Sequence, residues 1–126
     1  SMSLPGPSDH WRWRQDVVEA MAAALDPERF GVARLFVGGS TESGHAGPGS
    51  DIDVFVVCEP GARRDELALW LDGWSRCLAE LCRRQTGVAF EGGVLDVRWL
   101  SEVPDLRRRP DLRELPLARR DEGEAG

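Results

Sequence analysis

Hydrophobic positions recur with a helical period in two parts of the chain. The first helix is predicted over residues 9–26, where apolar side chains return every three or four residues, and Pro27 ends it. A longer amphipathic helix is predicted over residues 63–84. Its apolar stripe consists of Leu67, Trp70, Leu71, Trp74, Leu78 and Leu81.

Two stretches between these helices are typical of β-strands. Residues 32–37 form a short apolar run that leads straight into Gly38, Gly39 and Ser40. Residues 52–58 are rich in β-branched side chains and apolar on both faces, which predicts the strongest strand of the chain. The glycine- and serine-rich connection between the two strands is predicted to be mostly loop, with one helical turn after Ser40 left open.

The part of the chain after the second helix is extended at first and then becomes polar. Residues 88–90 and 94–100 predict either a hairpin or one strand with a bulged entry. Residues 101–126 carry three prolines and dense mixed charge, which predicts a tail that is partly helical or disordered, with a short helix after Ser101.

The order of these elements predicts one α/β (α+β) domain, with a small mixed sheet packed against two main helices. The domain is expected to span residues 9–100. Residues 1–8 are expected to be a disordered N-terminus, in which Ser1 before Met2 is typical of a cloning remnant, and residues 101–126 form the tail.

Charge and cysteine content narrow the class of function. The chain carries 22 acidic and 16 basic residues, all of the latter arginine, for a net charge of −6. This acidic balance argues against a protein that grips long nucleic acid, and no apolar run is long enough to cross a bilayer. Three cysteines without metal-ligand spacing are expected to be free thiols, which favours the cytoplasm.

Three carboxylates and one glycine turn are candidates for chemistry. Gly39 and Ser40 directly follow a strand, where a glycine backbone can approach an anion closely. Asp51 and Asp53 flank one strand residue, so their side chains share a face, and two such anions repel each other unless a cation lies between them. Asp96 lies within an apolar strand and needs a partner, either Arg98 or a shared metal ion.

This combination of motifs resembles the DNA polymerase β-like nucleotidyltransferase superfamily. The resemblance rests on Gly39-Ser40, a spacer, Ser50-Asp51-Ile52-Asp53, and a third strand that carries Asp96 in an apolar setting. It covers about residues 32–100, most of the predicted domain. It implies a minimal nucleotidyltransferase-like fold.

The resemblance also implies a mechanism. Asp51, Asp53 and Asp96 would be the catalytic metal ligands, holding two Mg²⁺ ions, and Gly39, Ser40 and Ser50 would bind the nucleotide. The reaction would move a nucleoside monophosphate from a nucleoside triphosphate, with ATP expected, to a hydroxyl acceptor that the sequence does not identify.

Two function classes follow from the sequence. The leading hypothesis is a metal-dependent nucleotidyltransferase, for which the resemblance to minimal members of the superfamily implies a role as the antitoxin-like half of a two-protein module. The alternative is a non-catalytic interaction protein that retains the fold. The wide tryptophan-rich helical stripe predicts a further interface, either with a second copy in a homodimer or with a helical partner protein.

Overall fold

A computed structural model describes residues 7–39 and 51–119. Three helices and four strands form in this part of the chain. They are α1 Pro7–Ala24, α2 Pro27–Phe30, β1 Val32–Gly38, β2 Ile52–Cys58, α3 Arg64–Thr86, β3 Leu95–Leu100 and β4 Arg113–Glu114.

The four strands form one mixed sheet in the order β3-β2-β1-β4. β1 runs antiparallel to both β2 and β4, whereas β2 and β3 run parallel to each other. The long helix α3 makes the connection between the two parallel strands, as such a crossover requires. The predicted α+β class with a small mixed sheet is therefore confirmed.

The two faces of β2 bury different sets of side chains because successive residues of a strand point to opposite sides. Ile52, Val54 and Val56 belong to the main core, which the sheet shares with α1 and α3. Phe55 and Val57 lie on the other face, in a smaller cluster completed by residues of β1 and of the C-terminal segment. The run of apolar residues predicted for this strand thus reflects burial on both sides.

Helix α3 packs on the sheet through a stripe slightly different from the predicted one. Leu67, Leu71 and Leu78 are buried as expected, but Leu81 is 43% exposed and Cys82 is buried in its place. The buried positions follow the 3.6-residue period, which carries the stripe one position past Leu81. The predicted tryptophans flank this stripe: Trp70 and Trp74 are half-buried, with ring centroids 5.9 Å apart.

Several predicted boundaries differ from the structure. Helix α1 begins at Pro7 rather than residue 9 and ends at Ala24. Residues 88–90 form no strand, so the hairpin alternative is wrong. The strand β3 spans Leu95–Leu100 and is not preceded by a hairpin strand at residues 88–90. The predicted turn after Ser40, the spacer and residues 121–126 lie outside the described residues.

The chain after β3 differs most from the prediction. Instead of a helix after Ser101 it forms turns, and then the short strand β4, which pairs with β1. Leu112 and Leu115 on either side of β4 are buried, and the Leu115 N–H donates to the Leu35 carbonyl at 2.8 Å. A two-residue strand has no detectable periodicity, and prolines on both sides concealed it.

The burial of Leu115 gives a direct test of whether this segment stabilises the domain. We expect Leu115→Ala to lower the free energy of unfolding by about 2–4 kcal/mol, because it leaves a cavity in the main core. Leu106→Ala is the matched control, since Leu106 is 37% exposed and should cost under ~1 kcal/mol. Urea unfolding of both variants measures the difference. Equal effects would show that the segment is not part of the folded unit.

Candidate active site

Two aspartates lie side by side at the point where β2 and β3 run parallel. Asp53 is the register partner of Asp96, and Ile52 and Val54 pair with Leu95 and Val97 on either side. Since those neighbours pack toward the helices, both aspartates point to the opposite, open face of the sheet. Parallel register thus brings together two carboxylates that are far apart in sequence.

The proximity of these carboxylates changes the acidity of Asp53. Burial raises its pKa above the ordinary value, and the negative charge of Asp96 and a hydrogen bond to it raise the pKa further. The guanidinium of Arg98 opposes this rise, while Asp51 adds a small one. Burial and a neighbouring carboxylate thus both disfavour the charged form of Asp53, and a bound cation would relieve this effect.

Asp96 has an arginine partner as well as the carboxylate neighbour. Arg98 Nη2 donates to Asp96 Oδ2 at 2.9 Å, and Arg98 Nε donates to the same oxygen at 3.3 Å. Both side chains are substantially exposed, so the ion pair alone contributes little to stability. Of the two partners that the sequence left open for Asp96, the arginine is therefore present, and it lies on the same face as Asp53.

Asp51 is less closely integrated into the site. It is exposed and immediately precedes β2, and its charge acts on both Asp53 and Arg14. Within residues 7–39 and 51–119, no three His, Cys, Asp or Glu side chains are arranged as a metal-binding group. The structure thus brings Asp53 and Asp96 together but does not gather all three predicted carboxylates.

The glycine turn after β1 packs directly against the carboxylate pair. Gly38 is the register partner of Asp53, and Gly39 follows with a φ of 68°. A Cβ on Gly39 would overlap the Asp53 carboxylate oxygen Oδ2, so a side chain at this position would have to displace that carboxylate. The other two predicted nucleotide-binding residues, Ser40 and Ser50, lie outside the described residues.

The comparison with protein families agrees with this geometry. The sequence profile of the nucleotidyltransferase domain family matches residues 25–113, more than half of the chain. The chain belongs to that family. No curated protein sequence matches it significantly. The matched region of this nucleotidyltransferase domain contains Gly39, Asp53 and Asp96, and it extends past β3 to the start of β4.

Helix α1, which precedes the matched region, contains a buried arginine that the sequence analysis did not select. Arg14 on α1 is 1% exposed, and its guanidinium carbon lies 6.0 Å from the centroid of the Phe90 ring. Burial lowers its pKa, while the charges of Cys82 and Asp51 act in the opposite direction. The signal was present in the sequence, since Arg14 continues the apolar stripe of α1 one turn before Val18.

Among the described residues of the nucleotidyltransferase domain, no helix is both long and apolar enough to cross a membrane.

The contact between Gly39 and Asp53 predicts a specific effect of a methyl group. Gly39→Ala and Gly61→Ala each place a side chain at a positive φ, 68° and 78°, which costs about 1 kcal/mol. Only at Gly39 does the new Cβ also meet the carboxylate, because nothing lies within 4 Å at Gly61. We expect Gly39→Ala to destabilise the domain more than Gly61→Ala, by about 1 kcal/mol or more. Urea unfolding measures this, and equal losses would contradict the close packing.

The raised pKa of Asp53 predicts a pH dependence of stability in the metal-free protein. The folded state holds this proton more tightly than the unfolded chain does. The contribution of Asp53 protonation to the free energy of unfolding is therefore complete at a pH below 3.8, the ordinary pKa of an aspartate. This contribution is lost as the pH rises through the raised pKa. Asp53→Asn removes this dependence, so we expect the variant to match or exceed the parent at pH 7, by up to about 1 kcal/mol.

The measurement is urea unfolding from pH 4 to pH 8 in the presence of a chelator. Glu102→Gln serves as the control, because it removes an exposed acid outside the site. If Asp53→Asn keeps the parent's pH profile or is less stable at pH 7, the carboxylates do not repel each other as described.

Proposed function

We propose that this nucleotidyltransferase domain is a metal-dependent enzyme that transfers a nucleoside monophosphate from ATP to a hydroxyl acceptor. The observation that carries the proposal is the Asp53–Asp96 pair, placed by parallel register on the open face of the sheet beside the Gly39 turn. Membership of the family supports nucleotidyl transfer in general. The identities of the metal, the nucleotide and the acceptor go beyond family membership and belong to the proposal alone.

The chemistry of the paired carboxylates fits a hard divalent cation. Asp53 and Asp96 offer oxygen ligands within reach of each other, and the pKa of Asp53 is raised partly by that neighbouring charge. Asp51 would add an oxygen from the start of β2. When bound, Mg²⁺, as two ions by the family resemblance, would neutralise phosphate charge and favour attack by the acceptor oxygen.

The residues of the chain divide into two roles in this proposal. Asp51, Asp53 and Asp96 would hold the metal, and Asp96 would then share its carboxylate between the cation and Arg98. Gly39 lies against the Asp53 carboxylate and has no side chain. Its backbone would therefore be free to approach phosphates bound beside that carboxylate. Ser40 and Ser50 are assigned to nucleotide binding from the family resemblance alone.

A second candidate function is a non-catalytic interaction protein that keeps the nucleotidyltransferase fold. It is favoured by the Asp96–Arg98 ion pair and by the lack of a three-acid group among the described side chains. In either case the domain would act as the antitoxin-like half of a two-protein module with a helical partner, or as a homodimer. The half-buried Trp70 and Trp74 are the surface that the helical partner would cover.

Ligand binding distinguishes the two candidates. We expect Mg²⁺ with ATP at about 100 times its dissociation constant to stabilise the native protein by about 2.7 kcal/mol and raise its melting temperature by several degrees. Asp53→Asn should weaken Mg²⁺-ATP binding by at least about tenfold, a loss of about 1.4 kcal/mol, because it removes a metal ligand. Glu102→Gln should bind as the parent does.

Transfer itself is measured with ATP labelled in the α-phosphate, by following label onto candidate hydroxyl acceptors. Loss of label transfer in Asp53→Asn and its retention in Glu102→Gln would support the enzyme. If Mg²⁺-ATP has no effect on the melting temperature of the parent, the catalytic proposal fails and the interaction protein takes its place.

A further inference from the structure

Strand β3 forms one edge of the sheet, and its backbone orientation can be assigned. The Val94 carbonyl accepts from the Ile52 N–H at 2.8 Å, so the even-numbered residues of this stretch point their backbone groups toward β2. The Leu95 N–H instead donates outward to Ser75 Oγ at 2.9 Å. By alternation, Val97 directs its N–H and carbonyl away from β2. In the part of the chain that the structure describes, no strand pairs with this outer side.

Exposed edges are usually protected by charges, and here the charges have a self-complementary spacing. Asp96 and Arg98 lie one on each side of Val97 and share the open face of the sheet. If two β3 strands pair antiparallel with Val97 opposite the partner's Val97, then Asp96 lies opposite the partner's Arg98. The same contact occurs twice because the pairing is two-fold symmetric.

The charges also select this register over its neighbours. The partner strand can shift relative to β3 and still keep each side chain on its own face of the sheet. Such a shift puts a residue other than Val97 on the two-fold axis, opposite its own copy. One such shift places Asp96 opposite the partner's Asp96, and the shift in the other direction places Arg98 opposite the partner's Arg98. Like charges directly opposite each other are destabilising in antiparallel pairs. The register centred on Val97 is therefore favoured by charge.

The helix-facing side of β3 is also suited to a second strand. Leu95, Val97 and Trp99 line a groove of about 170 Å³ against α3, and Trp99 is 36% exposed with Arg64 over its ring. In the register centred on Val97, the partner's Trp99 lies opposite Leu95 and covers this groove. The backbone groups match in part: Val97 of each chain exchanges hydrogen bonds with Val97 of the other, and the Trp99 N–H of each chain meets the Leu95 carbonyl of the other, while the Leu95 N–H stays bonded to Ser75 Oγ of its own chain.

We infer that two copies of this chain associate through their β3 edges, joining their four-stranded sheets into one continuous sheet across a two-fold axis. The partner's Arg98 then lies beside Asp96, on the face that carries Asp53. Each carboxylate pair is bordered by an arginine from the other copy. This interface rests on hydrogen-bond direction and charge spacing rather than on the proposed function, although it shares Asp96 with the proposed metal site.

Sedimentation of the full chain over a range of concentrations tests the interface. The parent should show a monomer–dimer equilibrium. Arg98→Asp places acids opposite acids and should raise the dimer dissociation constant at least about tenfold. The double variant Asp96→Arg with Arg98→Asp reverses both charges, restores opposite pairs and should dimerise again. Arg107→Asp, at a side chain that is 91% exposed in the C-terminal segment, is the matched control and should behave as the parent.

A second variant tests the backbone contacts. Val97→Pro removes an N–H that points away from β2, a position where edge strands tolerate proline, and should make the protein monomeric. Circular dichroism checks that each variant is folded, and the charge variants decide the matter if the proline variant unfolds. The inference is overturned if the parent is monomeric throughout. It is also overturned if Arg98→Asp dimerises as the parent does, or if the charge-reversed double variant stays monomeric. Sedimentation is done without Mg²⁺ or ATP, so that these outcomes are distinguishable from failure of the metal-binding proposal, which shares Asp96.

Discussion

The candidate site depends on one register, in which two parallel strands place Asp53 against Asp96. β2 buries Ile52 and Val54 in the main core, and β3 packs Leu95 and Val97 against it, so neither carboxylate can turn away without exposing apolar side chains. The hydrophobic packing thus holds two like charges at close range, at the cost of a raised pKa for Asp53. The Gly39 turn and Arg98 are arranged around this pair, one by close packing and the other by charge.

Much of the fold follows from local pattern. The strong strand at Ile52–Cys58 and the helix that follows it were predicted almost to the residue, because continuous apolar and amphipathic runs of that length have few alternatives. β4 and Leu115 were not predicted. Their burial depends on where β1 lies in three dimensions, and a two-residue strand carries no period of its own.

The site was predictable in part for the same reason. The alternation of β2 placed Asp53 on one face, and the cost of burying Asp96 required a partner, but the sequence could not rank Arg98 against a metal as that partner. The structure bonds Arg98 to Asp96 and places Asp53 beside it, so the arginine partner is present and the metal stays a prediction. The roles of Asp51, Ser40 and Ser50 stay predictions. Arg14 was overlooked because a charged residue in line with an apolar helical stripe is usually interpreted as the solvent-exposed end of that stripe.

The parallel crossover has a consequence for how the protein reaches its native state. Asp53 and Asp96 meet across a crossover that contains the whole of α3, so the pair is assembled from contacts that are distant along the chain. The antiparallel pairing of β1 with β2 needs no such crossover. The acidity of Asp53 therefore depends in part on the docking of β3, because that step brings the Asp96 charge beside it.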